Sequence, residues 1–290
     1  MARNKTSRRR SNSIAGKLAA RERGDDGGPR GRAGRHGGRT PSGGYGGAGD
    51  TQTIFGLHAV AAALENEARH LLSIAVTEAA KETLAPLIED RCLAPEIRDA
   101  GELTRLLGNE AVHQGAILRA RPLEQPTLAD LAVVHGQTDA AEIPPRVVVL
   151  DQVTDPHNVG AIVRSAAVFG AAGVVMTRRN AAPIDGVAAK AASGGMEHVP
   201  IVHVGNLAQA LRDLARDGYR VVGLDGEGSA TIGDVPRKAP LALVLGAEGP
   251  GMRRLTREQC DFLCHLPSPG PLSSLNVSNA AAVALALLTT

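Results

Sequence analysis

Three short stretches of the chain gather side chains that could bind and orient a polar ligand. Asn158 and Arg164 lie in DPHNVGAIVRSA, Glu248 lies in GAEGPGM, and Ser274 and Asn276 lie in LSSLNVSN. Amides and hydroxyls donate and accept hydrogen bonds, a carboxylate accepts them, and an arginine can clamp a phosphate through its planar fork. These residue types are suited to holding a phosphate-containing substrate in a fixed orientation.

Each of these residues also has a simpler explanation. Arg164 is about 140° from Val159 around the predicted helix, outside its apolar stripe, so it could be a solvated surface arginine. Glu248 could start a helix after a tight turn, because GAEGPGM has no GxGxxG register and no following Lys-Ser/Thr. Capping could explain Ser274 or Asn276 alone. It does not explain so many polar groups so close together.

The surrounding elements predict a mostly parallel sheet. Helical segments at 158–169, 206–218 and 276–288 alternate with continuous apolar strands, which we place at Arg146–Leu150, Gly173–Met176, Arg220–Leu224, Leu241–Leu245 and Asp261–Leu266. This alternation is typical of an α/β fold with helices on both faces of the sheet. Ligands of such sheets bind at the carboxyl ends of the strands. The rule selects the loops after Leu150, Leu245 and Leu266, which carry or lead to the candidate residues.

The helix after Leu150 has clear local signals. Asp155 is a good N-cap, Pro156 suits the first helical position, and Asn158 can help to cap the same turn. Its predicted apolar stripe consists of Val159, Ile162, Val163, Ala166 and Ala167. The final helix is apolar on all sides, which predicts burial in a core or an interface.

Four regions are predicted along the chain. Residues 51–121 mix helical and strand-like patterns and form a small α/β domain, and residues 122–145 are a proline-containing linker with a short helix. Residues 146–290 form the larger α/β domain. Residues 1–50 carry twelve Lys and Arg against four acidic residues, a net charge of +8. Because the whole chain is +2, the other 240 residues carry −6, and the basicity belongs to the tail.

The tail is rich in Gly, Ser and Arg and is predicted to be disordered. A basic arm of this kind attracts nucleic acid without reading its sequence. A solvating extension without a dedicated partner and a transit peptide are the alternatives.

Other classes of protein fit less well. No apolar run approaches the roughly 18 residues of a membrane span. Three cysteines do not make a disulfide framework, and Cys260 and Cys264 beside His265 are better explained as buried thiols than as metal ligands. A reducing cytoplasm fits this composition.

Taken in order, the motifs resemble those of the SpoU (TrmH-like) branch of the SPOUT RNA 2′-O-methyltransferases. The resemblance extends over 54–288, with DPHNVGAIVRSA, LVLGAEGPGM and LPSPGPLSSLNVSNA as its three motifs. GLHAV, HQGAI and GAEGPGMRRLTREQCD make it most similar to the bacterial 23S rRNA guanosine-2′-O-methyltransferases.

The resemblance implies a larger domain tied in a deep trefoil knot, an RNA-binding first domain and a homodimer with its active site near the interface. It implies methyl transfer from S-adenosylmethionine to the ribose 2′-hydroxyl of a guanosine in 23S rRNA, in the cytoplasm. The implied catalytic residues are Asn158, Arg164, Glu248, Ser274 and Asn276. The methyl donor would be held by backbone groups around Gly246, Leu266 and Leu275.

Two roles for Arg164 stay open. An arginine with its ordinary pKa above about 12 is a poor base at neutral pH. It either has a perturbed pKa and takes the proton of the hydroxyl, or clamps a phosphate and orients the ribose. We favour clamping, because alignment of the reacting atoms can supply about 7 to 11 kcal/mol.

Three other functions compete with this hypothesis. A tRNA 2′-O-methyltransferase of the same family and a non-catalytic rRNA-binding protein would share most of the pattern. A nucleotide-dependent oxidoreductase would need a glycine fingerprint after the first strand of the larger domain, and the sequence lacks one.

Overall fold

The computed structural model describes residues 51–108, 111–135, 143–271 and 274–289. The basic segment 1–50 lies outside the described residues, and so does the predicted disorder of that segment. Two β-sheets with their helices account for the described chain.

The first sheet is mixed and has the strand order β1-β4-β2-β3. β4 pairs antiparallel with β1 and β2, and β3 pairs parallel with β2. The elements of this part are β1 (Gln52–Phe55), α1 (Leu57–Glu65), β2 (Leu71–Val76), α2 (Glu78–Asp90), β3 (Glu96–Ile97), α3 (Ala100–Leu107) and β4 (Ala116–Ala120). Helix α4 (Leu128–His135) follows, within the segment predicted to carry a short helix.

Local signals set the helix ends in this part. The Thr77 hydroxyl accepts a hydrogen bond from the Ala80 amide and caps α2. Asp99 and Glu102 form a reciprocal capping box at the start of α3. Helix α1 buries Val60 and Leu64 in the core of this sheet, so its apolar face, rather than its cap, supplies its stability.

The second sheet is parallel throughout, with the strand order β7-β6-β5-β10-β8-β11-β9. Its strands are β5 (Arg146–Asp151), β6 (Gly173–Thr177), β7 (Ile201–Val204), β8 (Arg220–Leu224), β9 (Ala230–Thr231), β10 (Leu241–Gly246) and β11 (Phe262–His265). Its helices are α5 (Pro156–Val168), α6 (Gly186–Ala192), α7 (Leu207–Arg216), α8 (Arg254–Arg257) and α9 (Val277–Thr289). Single 3₁₀ turns occupy Gly195–Glu197 and Ile232–Asp234.

Successive side chains along β5 point to opposite faces of the sheet and pack into two separate cores. Val148 and Leu150 of β5 pack with side chains of α5, α6 and α9, whereas Val147 and Val149 pack with side chains of α7. Helices therefore cover both faces, as the continuous apolar strands predict. The prediction of an α/β fold with a mostly parallel sheet is confirmed.

The five predicted strands of the larger sheet all form, with ends that differ by one residue at most. The predicted stripe of α5 also forms, with Val159, Ile162 and Val163 fully buried. Helix α6 and strands β7 and β9 have no counterpart among the elements predicted from the sequence. Helix α6 consists largely of glycine and alanine, and β9 has only two residues, so neither carries a strong hydrophobic period.

The final helix is buried on one face rather than on all sides. Val277, Ala281, Leu285 and Leu288 are buried, whereas Val283 is 41% exposed. The prediction of burial therefore holds for its inner face only.

The prediction that Cys260 and Cys264 are buried thiols is confirmed for Cys264 and holds in part for Cys260. Cys264 is buried, Cys260 is half-buried and Cys92 is exposed. Burial raises the pKa of the Cys260 thiol to about 12. In the parts of the chain that the structure describes, no group of His, Cys, Asp and Glu could hold a metal ion, and no helix is long and apolar enough to cross a membrane.

Candidate active site

The three candidate loops begin at the carboxyl edge of the parallel sheet, two of them on neighbouring strands. β5 and β10 are adjacent, with Leu150 opposite Leu245 and Asp151 opposite Gly246. β11 ends at the same edge, with β8 between it and β10, and Asn276 directly precedes α9. The sequence rule that selected these loops is therefore confirmed for their relative position.

A hydrogen-bonded cluster joins one side chain from each loop. Asn276 Nδ2 donates to Glu248 Oε1 at 2.6 Å and to Asn158 Oδ1 at 3.0 Å. Asn158 Nδ2 also donates to Glu248 Oε1, at 3.3 Å, and the Val277 amide lies 3.4 Å from the same oxygen. Three of the five predicted catalytic residues thus meet in one cluster.

Asn276 has a second role in this cluster. Its Oδ1 accepts hydrogen bonds from the Ser278 amide at 2.9 Å and from the Ser278 hydroxyl at 2.6 Å, so it caps the start of α9. The cap fixes the side chain, and its amide group then faces Glu248. Capping and a functional position are therefore compatible in the same residue.

Asn158 does not cap α5, contrary to one of the roles considered for it. Asp155 is the cap, since its carboxylate accepts a hydrogen bond from the His157 amide at 3.0 Å, and Pro156 occupies the first turn as predicted. Asn158 follows within the helix, and its side chain extends to Glu248 and Asn276.

The loop that carries Glu248 folds back on itself immediately after β10. Ala247 and Gly251 exchange backbone hydrogen bonds of 3.2 and 2.9 Å, which close the loop. A Cβ at Gly246 would lie 2.3 Å from the backbone of Gly251 and Met252, so this close approach requires glycine. Gly251 itself has φ +68°. The glycines therefore shape the loop that presents Glu248.

An ion pair between a buried aspartate and an exposed arginine, which the sequence reasoning missed, anchors this loop to β5. Asp151 is fully buried, and its Oδ2 and Oδ1 accept hydrogen bonds from Arg253 N and Nε at 2.8 and 2.7 Å. Asp151 ends β5 and Arg253 follows the Glu248 loop. An acid at the carboxyl end of an otherwise apolar strand was the available sequence signal.

Arg164 lies apart from the cluster. Six residues beyond Asn158, it is about 9 Å farther along the helix axis and about 120° around it. It is exposed, as its place outside the apolar stripe predicts, and its Nη1 is 3.5 Å from Ser193 Oγ. In the described part of the chain, Arg164 makes no hydrogen bond with Asn158, Glu248 or Asn276 and forms no ion pair.

The remaining predicted residues lie along the same segments. Ser274 is exposed, two positions before Asn276, and no hydrogen bond joins it to the cluster within the described residues. Leu275 is 50% exposed and Leu266 is half-buried. Leu266 directly follows β11 and Leu275 directly precedes Asn276, so both are close in sequence to the segments that lead to the cluster.

The cluster presents a carboxylate in a defined orientation. Glu248 Oε1 receives three hydrogen bonds, whereas Oε2 receives none from the described residues. A fixed acceptor between two amide groups, with the exposed Leu275 next to Asn276, suits a ligand with hydroxyl or amino donors and an apolar ring.

The fold and this cluster define an α/β protein with a polar ligand site at the carboxyl edge of a parallel sheet. Residues 145–286 match the SpoU rRNA Methylase family, and residues 53–126 match the RNA 2′-O ribose methyltransferase substrate-binding family. The chain therefore belongs to the SpoU rRNA methylase family.

Curated relatives are similar over most of the chain. The chain is 38% identical over 244 residues to the 23S rRNA (guanosine-2′-O-)-methyltransferase RlmB of Yersinia pestis, covering 81% of this chain and 95% of the relative. It is 40% identical over 246 residues to RlmB of Photorhabdus laumondii, covering 81% and 96%.

Solved structures show the same fold. The SpoU methyltransferase AviRb from Streptomyces viridochromogenes in complex with AdoMet is 22% identical, with a TM-score of 0.65 over 82% of this chain and 88% of that chain. An AdoMet-bound rRNA methyltransferase from Sinorhizobium meliloti is 20% identical, with a TM-score of 0.66 over 82% and 87%.

Proposed function

We propose that this protein transfers a methyl group from S-adenosylmethionine to the ribose 2′-oxygen of a guanosine in 23S rRNA. The observation that carries the proposal is the Asn158–Glu248–Asn276 cluster at the carboxyl ends of β5 and β10. The substrate named for the Yersinia and Photorhabdus relatives supports the choice of RNA and nucleotide.

The residues near the cluster fit a methyl donor that carries an adenosine. Gly246 is a position where backbone segments approach too closely for any side chain, and Leu266 and Leu275, which follow β11 and precede Asn276, carry partly exposed apolar surface. Within the described residues, the Leu275 backbone makes no hydrogen bond of its own. We assign donor binding to the backbone of Gly246, Leu266 and Leu275. When bound, the donor supplies an electrophilic methyl group on a positively charged sulfur.

The chain's contribution to the reaction is then alignment and charge. The 2′-oxygen attacks the methyl carbon, the carbon–sulfur bond breaks with its electron pair going to the sulfur, and the hydroxyl proton passes to solvent water or, in the second version given below, to Arg164. In our assignment Glu248, fixed through Oε1, presents Oε2 to a donor group of the bound ligands. Asn158 and Asn276 hold this carboxylate, and Ser274 supplies a hydroxyl beside the nucleotide. Alignment of this kind can lower the activation barrier by about 7 to 11 kcal/mol.

Arg164 is assigned to the RNA side of the site. It is exposed and without an acidic partner in the described residues, which suits a cation that awaits a phosphate. We propose that it clamps the phosphate and orients the ribose. Removal of the hydroxyl proton by Arg164 itself is the second version of this role.

Domain roles and assembly follow from the same function. We propose that 146–290 forms a trefoil-knotted donor-binding domain, that 51–121 binds RNA, that 122–145 links them and that 1–50 adds a basic RNA-binding arm. We propose action in the cytoplasm as a homodimer. The dimer is supported by two helices in contact, α5 and α9, which expose Val168 (72%) and Val283 (41%).

Methylation mapping of 23S rRNA tests the function. RNA from a deletion strain should lack one 2′-O-methylguanosine that the parent strain carries and that the purified protein restores. If the two maps are identical, the assignment is wrong. Calorimetric titration with S-adenosylmethionine distinguishes the non-catalytic RNA-binding alternative, which predicts no donor binding.

A further inference from the structure

A buried ion pair crosses the junction between the two sheets. Arg69 Nη2 and Nε contact the two carboxylate oxygens of Glu197 at 2.5 and 3.2 Å, and the two side chains are only 2% and 4% exposed. Asn66 Nδ2 donates to Glu197 Oε2 at 2.7 Å. Arg69 Nη1 donates to Gln52 Oε1 and to the Arg121 carbonyl at 2.9 and 3.0 Å. Arg69 therefore donates four hydrogen bonds and Glu197 accepts three, all of them with groups of this chain.

Such a pair specifies geometry more than it adds stability. Desolvation of two charges offsets most of their attraction, so a buried pair is weak evidence for net stabilisation. A bidentate arginine–carboxylate contact nevertheless accepts only one relative orientation of its partners. If the two halves separated or rotated, each would expose or strand a buried charge. The pair thus favours one docked arrangement over all others.

Glu197 lies on a turn that is wedged between the two halves. The turn Gly195–Glu197 follows Gly194, where a Cβ would lie 2.5 Å from the Ala62 Cβ of α1. On the other side, a Cβ at Gly195 would lie 3.1 Å from Arg164 Cα. The first contact leaves no room for a side chain and the second would require the Arg164 backbone to shift, so the turn packs closely against both α1 and the helix that carries Arg164.

A second contact extends this junction. A Cβ at Gly56, the residue before α1, would lie 3.3 Å from Lys190 Cγ of α6 and 3.2 Å from Gln114 Oε1. Ser193, at the end of α6, has φ +47° and places its Oγ 3.5 Å from Arg164 Nη1. The small sheet therefore meets the site helix through α6 and the turn that follows it.

We propose that Arg69 and Glu197 are positioning residues that lock the small sheet onto the turn beneath Arg164, so that RNA held by the small sheet presents its ribose to Arg164. The inference rests on the proposed function. Neither residue touches substrate, because both are buried. Their effect is on where the RNA lies relative to Arg164, and the methyl donor, bound at the loops after β10 and β11, does not depend on them.

The central test is a double substitution that removes both charges. Arg69→Met with Glu197→Leu leaves no stranded ion, and apolar replacements of a buried pair are often neutral for stability. We expect a folded protein with unchanged affinity for S-adenosylmethionine but a kcat/KM for an rRNA fragment that is lower by about 10- to 100-fold, as for misplacement of reacting groups by about 1 Å. Wild-type kinetics in a folded double variant would overturn the proposal.

Two further variants separate positioning from simple loss of stability. Arg69→Lys keeps the charge without the planar fork and should lose much of the RNA-dependent rate. Arg146→Met is the matched control, because the described bonds of this buried arginine go to the carbonyls of Pro144, Arg237, Ala239 and Leu288, none of which belongs to the junction. It should lower the melting temperature and leave kcat/KM of the folded enzyme unchanged. An equal kinetic loss in Arg146→Met would contradict a role specific to the junction.

Docking itself can be measured without activity, which keeps this inference distinct from the proposed function. Spin labels on the exposed Cys92 and on Arg212→Cys report the distance between the halves. The distance distribution should be narrow in the otherwise native chain and broader in the double variant. An equally narrow distribution in both would overturn the proposal, even if the protein methylates RNA. If the distribution broadens as expected but the native chain transfers no methyl group, only the proposed function fails.

Discussion

Asn276 Nδ2 lies 2.6 Å from Glu248 Oε1, so the N-cap residue of the last helix holds the carboxylate of a different loop. The two residues are joined only because β10 and the segment after β11 end at the same edge of the sheet. The capping bonds of Asn276 and its bond to Glu248 use different atoms of one amide. The helix start and the site geometry are therefore coupled.

Disruption of this contact should slow methyl transfer without unfolding the protein. Glu248→Gln keeps the shape but loses the charge, and hydrogen bonds to charged groups are worth about 1.5 to 3 kcal/mol. We expect kcat/KM to fall by at least about 10-fold for Glu248→Gln and for Asn276→Ala. Because the two side chains share one contact, the double variant should be only slightly worse than the more damaging single variant. Steady-state kinetics on an rRNA fragment provide the measurement. Fully additive losses would show that the two side chains act independently. Glu258→Gln, which changes an exposed glutamate at the end of α8, is the control.

The sequence predicts the parts of this fold that carry strong hydrophobic patterns. Apolar runs such as Leu241–Leu245 predict the strands of the larger sheet, and the carboxyl-end rule then brings Asn158, Glu248 and Asn276 to one edge. It does not predict α6, whose burial depends on small residues packed against glycine: a Cβ at Gly160 would lie 2.4 Å from the Ala188 carbonyl. Close packing of this kind leaves no period of large apolar residues.

Long-range polar pairs are the other feature that the sequence does not reveal. Arg69 and Glu197 are separated by 128 residues, and each by itself has the composition of a surface charge. Burial becomes acceptable only when the two sheets dock and bring the ions together. Within the larger sheet, Asp151 is likewise buried and paired with a distant residue, although its partner Arg253 is exposed.

Removal of the basic tail should weaken RNA binding and flatten its dependence on salt. Residues 1–50 carry a net charge of +8, and each phosphate contact adds about 0.7 to 0.9 to the slope of log affinity against log salt. Deletion of 1–50 should therefore reduce the slope, while turnover on saturating RNA changes little. Filter-binding titrations at several salt concentrations measure it. A slope identical to that of the full chain would identify the tail as a solvating extension.

The thiols should differ sharply in reactivity. Alkylation requires the thiolate, and burial, followed by the nearby Asp261 charge, raises the pKa of Cys260 to about 12. At pH 8, iodoacetamide should modify the exposed Cys92 in the folded protein and reach Cys260 and Cys264 only after unfolding. Peptide mass spectrometry gives the result. Rapid native modification of Cys260 would contradict its burial.

The same shift has a consequence for stability at alkaline pH. The unfolded thiol ionises near its ordinary pKa of 9.0, whereas the folded thiol of Cys260 keeps its proton up to about 12. The unfolded state therefore binds fewer protons in this window, and the free energy of unfolding falls as the pH rises from about 9 to 12. In denaturant titrations at pH 8 and 10, the free energy of unfolding should fall less between the two pH values for Cys260→Ala than for the wild-type protein.

Gly246→Ala should damage the site more than the fold. The added Cβ would lie 2.3 Å from the Gly251 and Met252 backbone, so the loop that carries Glu248 must move. Overpacking of this kind costs about 1 to 3 kcal/mol. We expect weaker binding of S-adenosylmethionine together with lower activity, measured by calorimetry and by methyl transfer. Gly205→Ala, at a glycine with no neighbouring atom within 4 Å of the added Cβ, is the control. Normal donor affinity in Gly246→Ala would remove this loop from the donor site.

Replacement of Arg164 tests the residue that lies outside the cluster. Arg164→Ala should abolish methyl transfer and leave donor binding nearly intact, because the proposed donor site involves Gly246, Leu266 and Leu275 and the structure shows no bond between Arg164 and the Glu248 cluster. Donor titrations and methyl transfer on the rRNA fragment measure the two effects. Wild-type activity in Arg164→Ala would return this arginine to the role of a solvated helix residue.

Arg164→Lys then separates the two versions of its role. Lysine keeps the positive charge but loses the planar fork that binds a phosphate through two bonds, and its ordinary pKa of about 10.4 makes it easier to deprotonate than arginine. If Arg164 only clamps the phosphate, the lysine variant should be severely impaired at every pH. If Arg164 removes the proton, the variant should keep some activity with its optimum at lower pH. The pH dependence of kcat in the wild-type and lysine proteins decides between the two roles. Ser193→Ala is the control: it removes the 3.5 Å contact of Arg164 but keeps the arginine, so the pH dependence of kcat should stay unchanged.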